Sequence, residues 1–473
     1  MGKPLNDQLN QYLKFLACVV IALTLWVIGA DDAPQQGWQI FSVFIAVIAS
    51  FILQPFPMGT MVILGLVTLT ASNTITIKEA LSGYGDSTVW LVVAAFLIAG
   101  GVMHSGFGRR LALMLVRALG RSTLGLGYAL CGSELLLGPA VPSNTARGGG
   151  IMAPIMDSLS RALNSTPDQE PERAGRFLAL VGAHANLITA SMFLTGMAAN
   201  PLISKAAKDI FQINFDWGTW ALGSIVPGLL SLMLLPPLIY RLVRPTLSDA
   251  RPAQAKAVEE LEEMGAMGWK EWVMFVTLTL LLILWATKPL HGASTTLVAW
   301  MGVSALLLTR TESWNDIIGN ARAWDALVWL GGLLTMANLL RDYGFIAWFS
   351  KAMEVWVSGF DGVTVVISLA LIYFYSMYAF SMFTAHISAM AAVFLAVALA
   401  AGGTPMLAVA LMAYFSCLCG CLTNYSSGPI VIYFGLGYVP VARWFTVGFA
   451  ISIFHLIIWL GVGMLWWKLL GWW

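Results

Sequence analysis

Gly138-Pro139-Ala140-Val141-Pro142-Ser143-Asn144-Thr145-Ala146-Arg147-Gly148-Gly149-Gly150 interrupts a long apolar region with two prolines, a polar triplet, an arginine and three glycines. Proline and glycine are the poorest helix-interior residues. Irregular backbone at membrane depth persists only where protein or a water-filled cavity satisfies its polar groups. The flanking stretches, 128–137 and 150–163, are apolar arms, and the first is too short to cross about 30 Å of hydrocarbon. Two short arms around a polar break read as a re-entrant hairpin, placed at about 126–163.

The surrounding composition fixes the class. The chain has 473 residues, 59% of them hydrophobic and 10% charged, against roughly 25% charged in a soluble domain. Apolar runs recur from residue 13 to residue 467, so the reading is an all-α polytopic membrane protein surrounded by lipid. A formal net charge of +1 argues against a nucleic-acid partner. Cys18, Cys131, Cys417, Cys419 and Cys421 all sit in apolar sequence. Residues two apart on a helix point to different sides, so Cys417-x-Cys419-x-Cys421 reads as packing rather than a metal site. The first apolar run passes into Asp31-Asp32 without a small-residue cleavage site and is expected to be retained as a span.

Outward from the break, the order of features repeats. Residues 1–36 hold an N-terminal helix. In 37–240, three spans lead to an arginine-bearing amphipathic stretch at 104–120, the hairpin, a helix broken at Thr195-Gly196-Met197-Ala198-Ala199-Asn200-Pro201, and a further span. A linker at 241–271 follows, whose Glu259, Glu260, Glu262 and Glu263 read as a solvated helix face. In 272–473 the sequence passes again through spans, an amphipathic segment at 341–356 and a second hairpin at about 363–401, broken at Ser381-Met382-Phe383-Thr384-Ala385-His386. A second broken helix follows at Thr423-Asn424-Tyr425-Ser426-Ser427-Gly428-Pro429. Arg109, Arg110, Arg117 and Arg121 place their face on the cytoplasmic side. The count is about eleven transmembrane helices plus two re-entrant hairpins in an inverted repeat, with a cytoplasmic N-terminus and a bacterial inner membrane as the setting.

The breaks carry the chemistry. A helix that begins within the membrane exposes unpaired N–H groups and the positive end of its dipole, a ready carboxylate site. Ser143, Asn144 and Thr145 supply capping groups that can also bind a ligand. Thr384 and His386 are their counterparts, and Asn200 and Asn424 add donors, with Thr423, Gly428 and Pro429 beside the latter. Gly196, Pro201 and Ser381 are auxiliary. Two opposed half-helix ends suit a substrate with two anionic ends. Arg147 has two readings, attraction of anions or bracing of the hairpin against nearby carbonyls, whereas Glu134 reads as the partner of a neighbour. His104, His184, His291 and His455 default to structural roles. An enzyme is disfavoured, because intramembrane carboxylates are not paired and no His/Asp metal spacing occurs. A gated central site fits two inverted breaks better than a continuous pore.

Three stretches resemble the divalent anion/sodium symporter family: Pro142 to Ile151, Thr384-Ala385-His386-Ile387-Ser388-Ala389-Met390, and Leu422 to Pro429 with Tyr433-Phe434-Gly435 beyond. The likeness is to its exchanger branch, which holds bacterial citrate/succinate and tartrate/succinate antiporters and plastid 2-oxoglutarate/malate translocators. The resemblance implies a homodimer and an elevator-type mechanism, in which hairpins and broken helices form a moving transport domain against a scaffold. It further implies that Ser-Asn-Thr motifs at both tips hold substrate carboxylates. Ser143-Asn144-Thr145 matches; Thr384-Ala385-His386 departs. Replacing an amide by Ala385 and a hydroxyl by His386 removes oxygens a sodium ion would need, leaving at most a weak sodium site near Ser143 and Asn144. Exchange of di- or tricarboxylates without a cofactor is therefore the favoured expectation, and sodium-coupled uptake the alternative. His386 either tunes preference between substrate charge states or is a neutral donor fixed by a backbone carbonyl.

Overall fold

The computed structural model describes residues 5–30, 32–357 and 359–473, so the acidic turn expected at Asp31-Asp32 lies partly outside the described residues. The architecture is helical from end to end; among the described residues the β-structure is one isolated bridge, Ser122 with Asp249. Ten helices are long and apolar enough to cross a membrane, and Met58–Ala71, Thr123–Leu137 and Thr295–Leu308 are shorter apolar ones. Two of the ten, Gly362–Ala379 and Phe383–Ala400, are the arms of the second hairpin. Each of the eleven expected spans coincides with a helix.

The repeated order is visible element by element. After Leu5–Ile28, the first half runs Gln35–Leu53, Met58–Ala71, Ser87–Ser105, then the amphipathic Phe107–Leu119. The hairpin follows as Thr123–Leu137 and, beyond its tip, a wide-turned stretch at Thr145–Met152 leading into Ala153–Ala162. The broken helix is Gly175–Met192 with Asn200–Phe211, and Trp217–Val243 closes the half. The second half gives Trp269–Ala286, Thr295–Leu308, Ala321–Asp342, Phe345–Val357, the hairpin Gly362–Ser376 with Phe383–Ala400, the broken helix Pro405–Leu418 with Gly428–Gly435, and a final helix over Val441–Leu469. A hairpin crosses nothing, so each half makes an odd number of crossings and the two enter from opposite faces.

Two bodies pack around this symmetry. The hairpins and broken helices contact one another, with Phe383–Ala400 against Asn200–Phe211 and Gly175–Met192 against Pro405–Leu418. Gln35–Leu53, Met58–Ala71, Ser87–Ser105, Thr295–Leu308 and Ala321–Asp342 form a second group.

The linker departs from expectation. Its helix, Arg251–Met264, is docked rather than free, burying Ala253, Ala257 and Leu261. Glu260 is buried too and accepts bonds from Arg109 Nη2 (3.0 Å) and from Ser158 Oγ on the first hairpin (3.0 Å); only Glu259, Glu262 and Glu263 are exposed. At the linker's end, Arg110 donates to Glu271 (2.5 Å) and to Gly265 O (2.8 Å). The solvated-face reading fails at Glu260 because the amphipathic arm and the hairpin arm meet beneath it.

Candidate functional site

The two hairpin tips and the two helix breaks converge on one cavity of about 300 Å³. Its wall on that side is Ser143-Asn144-Thr145, Met197-Ala198-Ala199, Met382-Phe383-Thr384 and Ser427-Gly428. Each group is the start of a helix: Thr145–Met152, Asn200–Phe211, Phe383–Ala400 and Gly428–Gly435. Four helix starts, and with them four positive dipole ends, therefore surround one space. Opposite lie Met58, Phe96, Arg322, Asp325 and Trp329, on helices of the second packing group.

The four starts are not equally capped. At the first tip, Ser143 Oγ accepts from the Ala146 N–H and Asn144 Oδ1 from the Thr145 N–H, each at 3.1 Å. This leaves the buried Asn144 Nδ2 without a partner. Ala199, Met382 and Ser427, the N-caps of the other three, make no side-chain capping bond. At the second tip the first returning backbone bond runs from His386 N to Met382 O (3.1 Å), so the N–H groups of Phe383, Thr384 and Ala385 precede the helical ladder. Ser427 Oγ is likewise buried and unpartnered. Gly428 packs so closely on Thr145 that a Cβ there would collide with its Oγ1, which joins the two halves at the cavity wall.

Behind the first tip, Arg147 is fully buried. Its Nε donates to Glu134 (2.6 Å), Nη1 to Val141 O (2.7 Å) and Gly196 O (3.2 Å), and Nη2 to Thr189 Oγ1 (3.2 Å). Asn186 Nδ2 donates to Glu134 (3.1 Å) and to Asn144 O (3.2 Å). A buried ion pair is tolerable only when further bonds satisfy both partners, and here they do. Of its two readings, Arg147 takes the bracing one; Glu134 is the expected partner, and Gly196 acts through its carbonyl.

The second tip is braced differently. His386 is buried with Nε2 at 3.0 Å from Tyr373 O and 2.8 Å from Ser376 Oγ. A carbonyl only accepts, so Nε2 carries the proton. The imidazole ties one hairpin arm to the other and does not line the cavity, which is the fixed-donor reading.

The expected donors divide into two sets. Ser143, Asn144, Thr145, Thr384 and Gly428 reach the cavity; Asn200, His386, Thr423, Asn424 and Pro429 do not line it. Asn200 Nδ2 donates to Ala190 O and Phe193 O (2.9 Å each), closing its own break. Thr423 is buried, and its carbonyl accepts from Trp444 Nε1 (3.1 Å). Pro429 faces Gly148, Pro201 opens its helix beside a different cleft, and Ser381 is half-buried off the cavity wall. Sequence reasoning missed Ser427 as a wall residue and missed the whole opposing wall. The available signal was Arg322 and Asp325, two charges one turn apart at the head of a helix that is free of charge from there to Arg341.

An all-helical inverted repeat with a polar cavity between its two packing groups is the build of a polytopic membrane transporter. The sodium:sulfate symporter transmembrane region family matches residues 9–473, and the chain belongs to it. Among its relatives, a putative malate transporter, YflS, of Bacillus subtilis (strain 168) is 43% identical, covering 98% of this chain and 97% of that one. Dicarboxylate transporter 1, chloroplastic, of Arabidopsis thaliana is 40% identical (97% and 83%), and an L-tartrate/succinate antiporter of Shigella sonnei 33% (97% and 98%). MtrF of Neisseria gonorrhoeae shares the fold at 15% identity with a TM-score of 0.57, covering 85% of this chain and 84% of that one.

Proposed function

We propose that the protein exchanges dicarboxylates across the membrane by alternating access, the two carboxylates of one substrate lying against opposed helix starts in the central cavity. The observation that carries this reading is the convergence of four helix N-termini on one space. Asn144 Nδ2, Ser427 Oγ and the N–H groups of Phe383, Thr384 and Ala385 are the donors offered, and a wall with donors and no carboxylate favours oxyanions. The names of the relatives, among them malate and tartrate/succinate carriers, point to the same substrate class.

Exchange is favoured over sodium coupling by the second tip. Thr384 supplies one hydroxyl, Ala385 none, and His386 is turned into its own hairpin. Behind the first tip the Arg147 guanidinium, a fixed cation, occupies the polar interior. An elevator motion is supported by the position of the cavity, which lies between the hairpin group and the Met58, Phe96 and Ala321–Asp342 wall. On one face the groups are bridged by ion pairs, Asp209 with Arg341 and Lys205 with Asp86 (3.7 Å). The cavity lies towards the other face, which the arginines of Phe107–Leu119 mark as cytoplasmic. In this reading the protein is a homodimer of the inner membrane held by its scaffold, in an inward-facing state.

Protein in liposomes loaded with succinate should take up labelled succinate without a sodium gradient, and should stop when internal substrate is removed. Uptake that requires sodium and ignores internal substrate would overturn the exchange reading in favour of symport.

A further inference from the structure

The two walls of the cavity differ in kind. The hairpin side offers neutral donors. The cavity's charged lining residues, Arg322 and Asp325, stand on the opposite wall. Both are exposed to the cavity mouth, and among the described residues neither has an ion-pair or hydrogen-bond partner. They begin a ladder: Arg322, Asp325 and Trp329 are spaced i, i+3, i+7 and share one face of Ala321–Asp342. Arg322 is at the rim, Asp325 one turn deeper, and the buried Trp329 beyond it. Asp325 lies over Gly59, where an added Cβ would sit 3.3 Å from Oδ1, so the neighbouring helix leaves room for the carboxylate beside the cavity.

We propose that Arg322 and Asp325 form a selectivity pair that acts on the substrate from one membrane face only. The proposal rests on the dicarboxylate reading. A substrate held through two carboxylates by the hairpin side turns its remaining groups towards the ladder. Phe96, Met58 and Trp329 suit a short methylene chain. A third carboxylate meets Asp325, and like charges close together repel, the more so where water is partly excluded. Arg322, at the rim, draws dianions in. The ladder belongs to the scaffold and stays behind when the hairpins move, so it is met only while the cavity opens on this face.

Transport kinetics measured separately from inside-out and right-side-out vesicles, with succinate as substrate and citrate as competitor, test this. Arg322→Gln should raise the succinate KM about tenfold from the face bearing the mouth and leave it unchanged from the other. Arg322→Lys should restore most of that loss, which separates charge from misfolding. Asp325→Asn should leave succinate KM within about twofold while strengthening citrate competition about tenfold, again from one face. Equal changes from both faces, or no change in citrate competition, would overturn the proposal. Asn144→Ala should weaken succinate from both faces. If it transports normally, the carboxylate-cavity reading falls and takes the proposal with it.

Discussion

The two hairpin tips occupy equivalent places in the repeat and are built on opposite principles. The first caps itself: Ser143 and Asn144 spend their oxygens on their own helix start, and a buried Glu134–Arg147 pair with Asn186 and Thr189 fixes the tip from behind. The second leaves its helix start bare and relies on one imidazole bonded to Tyr373 and Ser376. The first tip holds an unpartnered, buried side-chain amide beside the cavity, while the second has backbone N–H groups ahead of its helical ladder. The difference teaches that, under the proposed function, carboxylate binding would need donors rather than two copies of one motif. It also confines the costly buried charge to one hairpin.

The comparison breaks most sharply at the ion pair. Arg147→Met should strand a buried carboxylate and cost about 3–5 kcal/mol, read as a large loss of thermal stability in detergent. Adding Glu134→Gln to that variant should recover much of it. Next, Asn144→Ala removes the unpartnered amide donor and should weaken succinate binding about tenfold or more, measurable by ligand-induced thermal shift. Thr384→Ala should weaken it less, by a few-fold, because the bare N–H groups remain; a larger loss than Asn144→Ala would reverse the roles given to the tips. Smallest of all, His386→Gln keeps a donor for Tyr373 O and should leave transport within about twofold. Its pH profile should match that of the parent, and a displaced profile would return His386 to a substrate-sensing role.

Much of the fold was legible because helix breakers in apolar sequence have few other uses. Pro142 with Ser143 to Thr145, and Ser381 to His386, announced both tips, and the recurrence of amphipathic stretch, hairpin and broken helix announced the repeat. The candidate site was legible only in part. Asn200 and His386 carry the right groups at the right breaks, yet they bond backwards to Ala190, Phe193 and Tyr373, a choice set by where carbonyls fall in three dimensions. Arg147 could be named but its role could not be decided, since that depends on Glu134, Thr189 and the Gly196 carbonyl arriving together. Arg322, Asp325 and Trp329 belong to no break or motif and reach the cavity by packing alone. Glu260 lies in a run whose other three glutamates are solvated, so its burial had no local signature.

Glu134 and Arg147 are 13 residues apart on a single hairpin. The nascent chain can therefore pair them before either meets the other half of the protein, and the hairpin enters the lipid with its internal charge already neutralised. Thr189 and Asn186 arrive later, with the next helix. The first hairpin can thus insert during synthesis as a self-contained unit, whereas the bare second tip has no charge to neutralise and can wait for its partner helices.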